Sequence, residues 1–152
     1  MLKPTKILVP TDFSEHSDKA LRQALDIARE YNAKVYALHV VDEKLQSTMT
    51  GDHSDLIINL DEINRLEKTL VSQAKEKLHK QIEKFTDCKN VQLIQKVANG
   101  IPYQEILREQ ENLGIDLIVI ASLGKSGIAK FLIGSVANNV LRGAKCPVLL
   151  TK

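Results

Sequence analysis

Glycine, serine and lysine residues cluster between positions 124 and 136 in a pattern that suits an anion. Gly124 and Gly134 frame this stretch, and Ser135 stands where a helix N-cap is expected, just before an apolar helical pattern that starts at Val136. The unpaired N–H groups of a first helical turn attract anions, and glycines let backbone amides approach them closely. Lys125 adds positive charge to the same loop. We therefore predict a nucleotide phosphate site at Gly124 to Val136.

The spacing excludes a Walker A loop, although Gly124-Lys125-Ser126 ends like one. That motif needs a further glycine at the position of Val119, which lies inside an apolar run. A plainer interpretation stays open, because glycine loops and capping serines also occur in α/β proteins that bind no phosphate. If the loop binds an anion, it does so with a geometry other than that of a Walker A loop.

An alternation of apolar strands and amphipathic helices must position this loop. Ser14 is the predicted N-cap of the first helix, and Asn32 is its predicted end. Pro102 suits the first turn of the third helix. The predicted strands are 7–9, 35–41, 91–97, 117–121 and 146–151, and a long helix is predicted over about 60–85.

This alternation predicts one α/β domain over residues 1–152, with right-handed crossovers. The fold class is Rossmann-like or flavodoxin-like, with three layers α/β/α and a five-stranded parallel sheet in the order 3-2-1-4-5. In that order the first and fourth strands are neighbours at the topological switch point. Asp12 and Gly124, which follow these strands, should then face one crevice. A turn or capping role is the alternative for Asp12.

The two strands expected at the sheet edges differ in character. The third strand, 91–97, contains polar residues, as expected of an edge. The last strand is apolar, and an apolar edge tends to pair with another chain. We therefore predict a two-fold homodimer through Val148 to Leu150.

Composition narrows the classes of function. A chain of 152 residues that is 43% hydrophobic can bury a core without disulfides or a structural metal. Scattered basic residues, a net charge of +2 and no Trp argue against a nucleic-acid partner. No signal peptide or bilayer-spanning run is present, so we expect no membrane partner and a cytoplasmic location.

Residues that often bind metals are interpreted here as structural. His39 lies inside the apolar second strand and is expected to be a hydrogen-bonded core residue. Cys88 and Cys146 form no C-x-x-C motif and are expected to be core or boundary residues in a reducing compartment. The polar stretch from Asp42 to Asn59 is predicted to be a long loop, which either folds over the crevice or is a disordered connection.

Several segments together resemble the universal stress protein family, and the resemblance covers nearly the whole chain. The nucleotide-binding members of that family carry G-x2-G-x9-G-[ST]. The corresponding residues here are Ala121, Gly124, Gly134 and Ser135, so alanine replaces the first glycine. The other matching segments are KILVPTDFS (6–14), LHVVD (38–42), GIP (100–102) and CPVL (146–149).

The resemblance implies a dimeric regulatory or stress-response module that binds ATP or another adenine nucleotide. Mg²⁺ or Mn²⁺ would be held through the phosphates rather than by the protein. Pro10, Asp12 and the backbone of Val40 would hold the adenine and ribose. The residues that would surround the phosphates are Ala121, Gly124, Lys125, Ser126, Gly134, Ser135 and Val136.

No catalytic residue is predicted, because no dedicated base is evident near the phosphate loop, and hydrolysis is expected to be slow at most. One alternative is a universal-stress-like dimer that binds no nucleotide and acts through protein contacts, which Ala121 favours. An adenylate-forming or adenylate-cleaving enzyme is disfavoured, because PTDFS (10–14) replaces the H-x-G-H or S-G-G-x-D-S motif of such enzymes.

Overall fold

Parallel strands form one sheet in the order β3-β2-β1-β4-β5 in the computed structural model, which describes residues 3–42, 44, 60–124 and 132–152. The strands are β1 (Lys6–Pro10), β2 (Lys34–Asp42), β3 (Leu93–Gly100), β4 (Leu117–Ala121) and β5 (Val148–Thr151). The helices are α1 (Glu15–Tyr31), α2 (Leu60–Glu83), α3 (Pro102–Leu113) and α4 (Ser135–Gly143), with a 3₁₀ turn at Thr86–Cys88. The predicted fold class and strand order are confirmed.

Two hydrophobic cores flank the sheet, which gives the three predicted layers. Side chains of β1 alternate between them: Ile7 and Val9 enter one core and Leu8 enters the other, as successive residues of a strand must. The first core is completed by α1 and α2, and the second by α3 and α4. Because β1 is covered on both faces, its sequence is a continuous apolar run instead of an alternating one.

Both ends of α1 lie where the sequence predicted them. Ser14 is the N-cap, with extended backbone, and its side chain accepts a hydrogen bond from the N–H of Ser17. Asn32 is the C-cap and has a left-handed conformation with φ of 55°, which asparagine tolerates better than most residues. This helix therefore begins at the turn that carries Asp12.

The predicted boundaries of α4, β3 and β5 were wrong, and β5 starts at Val148, two residues later than predicted. Helix α4 begins at Ser135, and its N-cap is Gly134, one residue before the predicted cap, because the extended Gly134 already accepts the first helical bond, from Asn138 N. Strand β3 starts two residues later than predicted and runs to Gly100, since it pairs with β2 along its whole length, from Leu93 opposite Val35 to Gly100 opposite Asp42.

The strands at the two edges of the sheet are those predicted. On β3, Lys96 forms an ion pair with Glu109 of α3. At the other edge, β5 pairs only with β4 among the described residues, and Leu149 remains 36% exposed. Pairing of this strand with a second copy stays a prediction.

Helix α2 is the longest described helix, but its apolar stripe is buried only toward its C-terminus. Ala74, Leu78 and Gln81 are buried there, whereas Ile63 is exposed. Within the described ranges, no helix has the length and hydropathy needed to cross a bilayer. The predicted loop at Asp42 to Asn59 lies, apart from Asp42 and Lys44, outside the described residues.

Candidate functional site

A cavity of about 250 Å³ opens where β1, β2 and β4 end and α4 begins. Eight of the ten residues predicted for the nucleotide site line it: Pro10, Asp12, Val40, Ala121, Gly124, Gly134, Ser135 and Val136. The other two, Lys125 and Ser126, lie outside the described residues. Residues far apart in the sequence thus converge on one concave surface.

Sequence reasoning missed other residues of the cavity wall. Pro102 and Ile106 belong to α3, which the prediction did not bring to the crevice, although Gly-Ile-Pro was recognised as a helix start. Most of the other missed residues are sequence neighbours of the predicted strand ends, and that position alone could have suggested them. They are Thr11, Leu38, His39, Ile120, Ser122 and Leu123.

The pairing of β1 with β4 brings Asp12 and Gly124 together. Leu8 pairs with Ile118, so the loops that follow the two strands leave the sheet side by side. A Cβ built on Gly124 would lie 2.8 Å from Oδ2 of Asp12. The prediction that both residues face one crevice is confirmed.

The turn from Thr11 to Ser14 is tightly bonded and holds Asp12 in place. The backbone N–H and the hydroxyl of Ser14 both donate to Asp12 Oδ1, at 3.0 and 2.5 Å. The N–H of Phe13 donates to Thr11 Oγ1 at 3.1 Å, and Phe13 itself has φ of 66°. Asp12 therefore does have the turn-forming role given as the alternative, through Oδ1. Its other oxygen, Oδ2, lies beside Gly124.

His39 fastens the same turn to β2. Its Nδ1 lies 2.8 Å from the carbonyl oxygen of Thr11, and since a carbonyl only accepts, Nδ1 carries the proton. Its ring stacks on Phe13 with a centroid separation of 4.2 Å. The predicted hydrogen bond of His39 is confirmed, but the residue is half-buried and borders the cavity instead of lying in the core. Among the described residues, no group of His, Cys, Asp or Glu side chains is arranged to hold a metal ion.

The two described ends of the glycine loop lie against each other. Gly134 N donates to Ser122 O at 2.7 Å, and Ser122 N donates to Thr151 O at 2.8 Å. A Cβ on Gly134 would lie 3.9 Å from Gly124 N. No side chain caps the N-terminus of α4, so its first turn presents backbone N–H groups beside the cavity.

Ala121, which replaces the first glycine of the nucleotide-binding motif, has an unstrained backbone. It is the last residue of β4 and pairs with Thr151 of β5. Among the described non-glycine residues, positive φ occurs only at Phe13 and Asn32. Glycine is therefore not required at position 121 for conformational reasons.

The sheet order and the cavity define the class of protein. This is a doubly wound α/β protein with a cavity at the topological switch point, outside the carboxyl ends of its strands. The family model described as the Universal stress protein family matches residues 4–152. The chain belongs to the universal stress protein family.

Individual relatives agree with that assignment. The chain is 35% identical over 147 residues to Universal stress protein MJ0531 of Methanocaldococcus jannaschii, covering 97% of this chain and 81% of the relative. The solved structure of MJ0577 superposes with a TM-score of 0.82 at 30% identity, covering 99% of this chain and 97% of that one. Fold and family thus follow from independent comparisons.

Two more distant solved structures share the fold. A universal stress protein in complex with cAMP has a TM-score of 0.70 at 21% identity, covering 99% of this chain and 98% of that one. A universal stress protein family protein of Arabidopsis thaliana with AMP bound has a TM-score of 0.62 at 19% identity, covering 98% and 92%. Members of this fold therefore include adenine nucleotide complexes.

Proposed function

We propose that this protein binds ATP or another adenine nucleotide in the cavity and acts as a dimeric regulatory module of the stress response, with slow hydrolysis at most. One observation carries the proposal. One cavity is lined by the ends of β1, β2 and β4, by the described ends of the glycine loop and by the N-terminus of α4, which no side chain caps. The cAMP and AMP complexes of proteins with this fold support an adenine nucleotide as the ligand class.

The two ends of the cavity suit the two ends of a nucleotide. Pro10, Leu38, Val40 and Ile120 form apolar walls that suit a base. The Asp12 carboxylate accepts hydrogen bonds only, as required to bind ribose hydroxyls. These features support a nucleoside position on the side of β1 and β2.

The phosphates fit the opposite side. Backbone N–H groups at Gly124, Ser135 and Val136, together with the positive end of the α4 dipole, favour negative charge. Lys125 and Ser126 complete the proposed phosphate site. Mg²⁺ or Mn²⁺ would be held through phosphate oxygens, and no group of His, Cys, Asp or Glu side chains among the described residues is arranged to hold the ion instead.

Isothermal titration of nucleotide-stripped protein with ATP and Mg²⁺ tests this proposal. Gly134→Val is the informative variant, because φ of −59° and ψ of 154° suit valine and the added methyl groups would enter the space beside Gly124 N. Asn138→Val is the matched control, since Asn138 is an exposed residue of the same helix outside the cavity. We expect saturable binding that Gly134→Val loses and Asn138→Val retains.

A second candidate is a dimer that binds no nucleotide and works through protein contacts. Ala121 favours it, because the methyl group borders the cavity where the motif has glycine. A folded protein that gives no heat with ATP, ADP, AMP or cAMP, and that carries no adenine nucleotide after purification, would favour this candidate. Recovery of a bound adenine nucleotide from the purified protein would exclude it.

A further inference from the structure

A buried polar network lies directly behind the turn that carries Asp12. Gln81 of α2 is 3% exposed, Ser17 of α1 is 2% exposed and Thr11 is 7% exposed. Thr11 Oγ1 lies 2.8 Å from Gln81 Oε1 and 2.9 Å from Ser17 Oγ. Gln81 Nε2 donates to Asp18 Oδ1 at 2.6 Å. Helix α2 is thereby joined to the turn between β1 and α1.

Chemistry fixes the direction of the hydrogen bonds that Gln81 makes with Asp18 and Thr11. The Asp18 carboxylate only accepts, so the NH₂ group of Gln81 faces it and the Gln81 carbonyl faces Thr11. That carbonyl also only accepts, so the Thr11 hydroxyl donates to it. Thr11 Oγ1 in turn accepts the N–H of Phe13 at 3.1 Å. A continuous chain of bonds therefore runs from the Gln81 carboxamide to the backbone of Phe13.

The backbone at Phe13 depends on such support. Its φ of 66° lies in the left-handed region, which a bulky side chain adopts only when its surroundings impose it. Asp12 immediately precedes Phe13, so the conformation of this turn sets the direction of the Asp12 carboxylate.

A buried amide is also unusual on the face of α2 that packs against the core. Ala74 and Leu78 are the other buried residues of this helix, and an apolar residue at 81 would extend their surface. Burying a carboxamide is unfavourable unless its hydrogen bonds are made, and those of Gln81 lead to the Asp12 turn.

We propose that Gln81 is a positioning residue for the nucleotide site. It holds the turn from Thr11 to Ser14, and with it Asp12, in the conformation that receives the ribose. Gln81 does not line the cavity, so it acts through Thr11. This inference rests on the proposed adenine nucleotide site.

In the variant Gln81→Glu, the hydrogen bonds by which residue 81 holds the turn from Thr11 to Ser14 should depend on pH. Three charged groups among the described residues lie around position 81. Asp18 of α1 accepts a hydrogen bond from Gln81, and Lys84, just after α2, donates to the other oxygen of Asp18. The third group, Asp12, lies beyond Thr11. Burial and the negative charge of Asp18 raise the pKa of the introduced carboxyl. The protonated form donates to Asp18 as the amide does, whereas the ionised form repels it.

Nucleotide titrations over a range of pH provide the first readout. The ratio of variant to wild-type Kd at each pH removes the titration of the nucleotide itself. For Gln81→Glu we expect a ratio within about twofold of unity at about pH 5, and a ratio of about ten at about pH 8. Gln73→Glu is the control, because Gln73 is exposed on the same helix, and its ratio should stay flat.

A second variant protects the test against misfolding. Gln81→Met keeps the length of the side chain but makes neither hydrogen bond, so we expect a Kd about tenfold higher than wild type at every pH. If Gln81→Glu unfolds above neutral pH, the nucleotide Kd of Gln81→Met decides whether Gln81 positions the site. Wild-type affinity in folded Gln81→Met would overturn the proposal.

The amide resonances of Phe13 and Ser14, recorded without nucleotide, provide a readout that does not need binding. They should move with pH in Gln81→Glu and not in Gln73→Glu. If the wild-type protein binds no adenine nucleotide, the proposed function fails, and these resonances still decide whether Gln81 positions the turn. Resonances that match the wild type in both Gln81 variants would overturn the positioning role.

Discussion

The carboxylate of Asp12 occupies the space that a side chain at position 124 would need. A Cβ at Gly124 would lie 2.8 Å from Asp12 Oδ2, closer than real contacts of a Cβ atom. Positive φ among the described glycines occurs at Gly100 and Gly114, not at Gly124. A side chain at position 124 would therefore have to displace the Asp12 carboxylate, whereas the backbone conformation does not require glycine there.

The first prediction concerns Gly124→Ala. The added methyl should displace the Asp12 carboxylate and raise the nucleotide Kd by about tenfold, the equivalent of one charge-assisted hydrogen bond. The free energy of unfolding should change by at most about 1 kcal/mol, because the end of one side chain moves. Titration calorimetry and thermal unfolding measure the two effects.

A double-mutant cycle identifies the cause of that loss. In an Asp12→Ala background there is no carboxylate to displace, so Gly124→Ala should add little further loss of affinity. If the two effects are simply additive, the methyl group acts on the ligand directly and not through Asp12.

The second prediction concerns Ala121→Gly. Because Ala121 is an unstrained strand residue, glycine should lower the free energy of unfolding by about 0.5–1 kcal/mol. Nucleotide affinity should stay within about twofold of wild type if the site accepts the methyl group. Ala98→Gly in β3, outside the cavity, is the matched control for the loss of stability. A large gain in affinity would mean that the methyl group obstructs the ligand.

The third prediction concerns β5, the edge strand that pairs only with β4 among the described residues. Leu149→Asp places a charge on an apolar edge strand, and charges of this kind oppose pairing with another chain. We expect light scattering to give a dimer for the wild type and a monomer for Leu149→Asp. Leu60→Asp, at a residue 76% exposed at the start of α2, should remain dimeric. A Leu149→Asp protein that is still dimeric would place the interface elsewhere.

The fourth prediction concerns the thiol of Cys146. Burial, and secondarily the charge of Asp116, raise its pKa above the ordinary thiol value. The folded state therefore holds this proton more tightly than the unfolded state. The resulting contribution to stability is present below the ordinary thiol pKa and is lost as pH rises through the raised value.

Alkylation with iodoacetamide, followed by mass spectrometry, measures this difference. At about pH 8.5, near the ordinary thiol pKa, Cys146 should react more slowly in the native protein than in urea, because less of it is thiolate. Equal rates in the two states would show that the fold does not protect this thiol. Mapping the modified peptide separates Cys146 from the buried Cys88.

Local sequence predicted the parts of the fold that short-range interactions control. The apolar runs at Ile7 and Leu117 could only be strands covered on both faces, and Ser14 and Asn32 marked the ends of α1 through capping chemistry. The boundaries of β3 and α4 were wrong because they depend on partners. Strand β3 extends as far as β2 pairs with it, and the cap of α4 shifted to Gly134.

The candidate site was predicted where a chemical pattern lies next to a strand end. Asp12 and Gly124 follow such ends and Gly134 directly precedes α4, and the strand order brought the three to one cavity. Thr11 and His39 carried no comparable signal, since a threonine in a turn and a histidine in an apolar run are common structural residues. Their roles depend on contacts across elements, such as the hydrogen bond from His39 to the Thr11 carbonyl.

The sequence by itself determined the alternation of elements, the order of the sheet and therefore the edge at which the cavity forms, because hydrophobic periodicity and right-handed crossovers leave few other arrangements. Only the tertiary structure decided that the Asp12 carboxylate lies against Gly124 and that Gln81 is hydrogen-bonded to Thr11 in the turn that carries Asp12. Thr11 and Gln81 are 70 positions apart. No local propensity encodes a hydrogen bond between such residues, since it forms only when packing α2 against α1 excludes water from both groups.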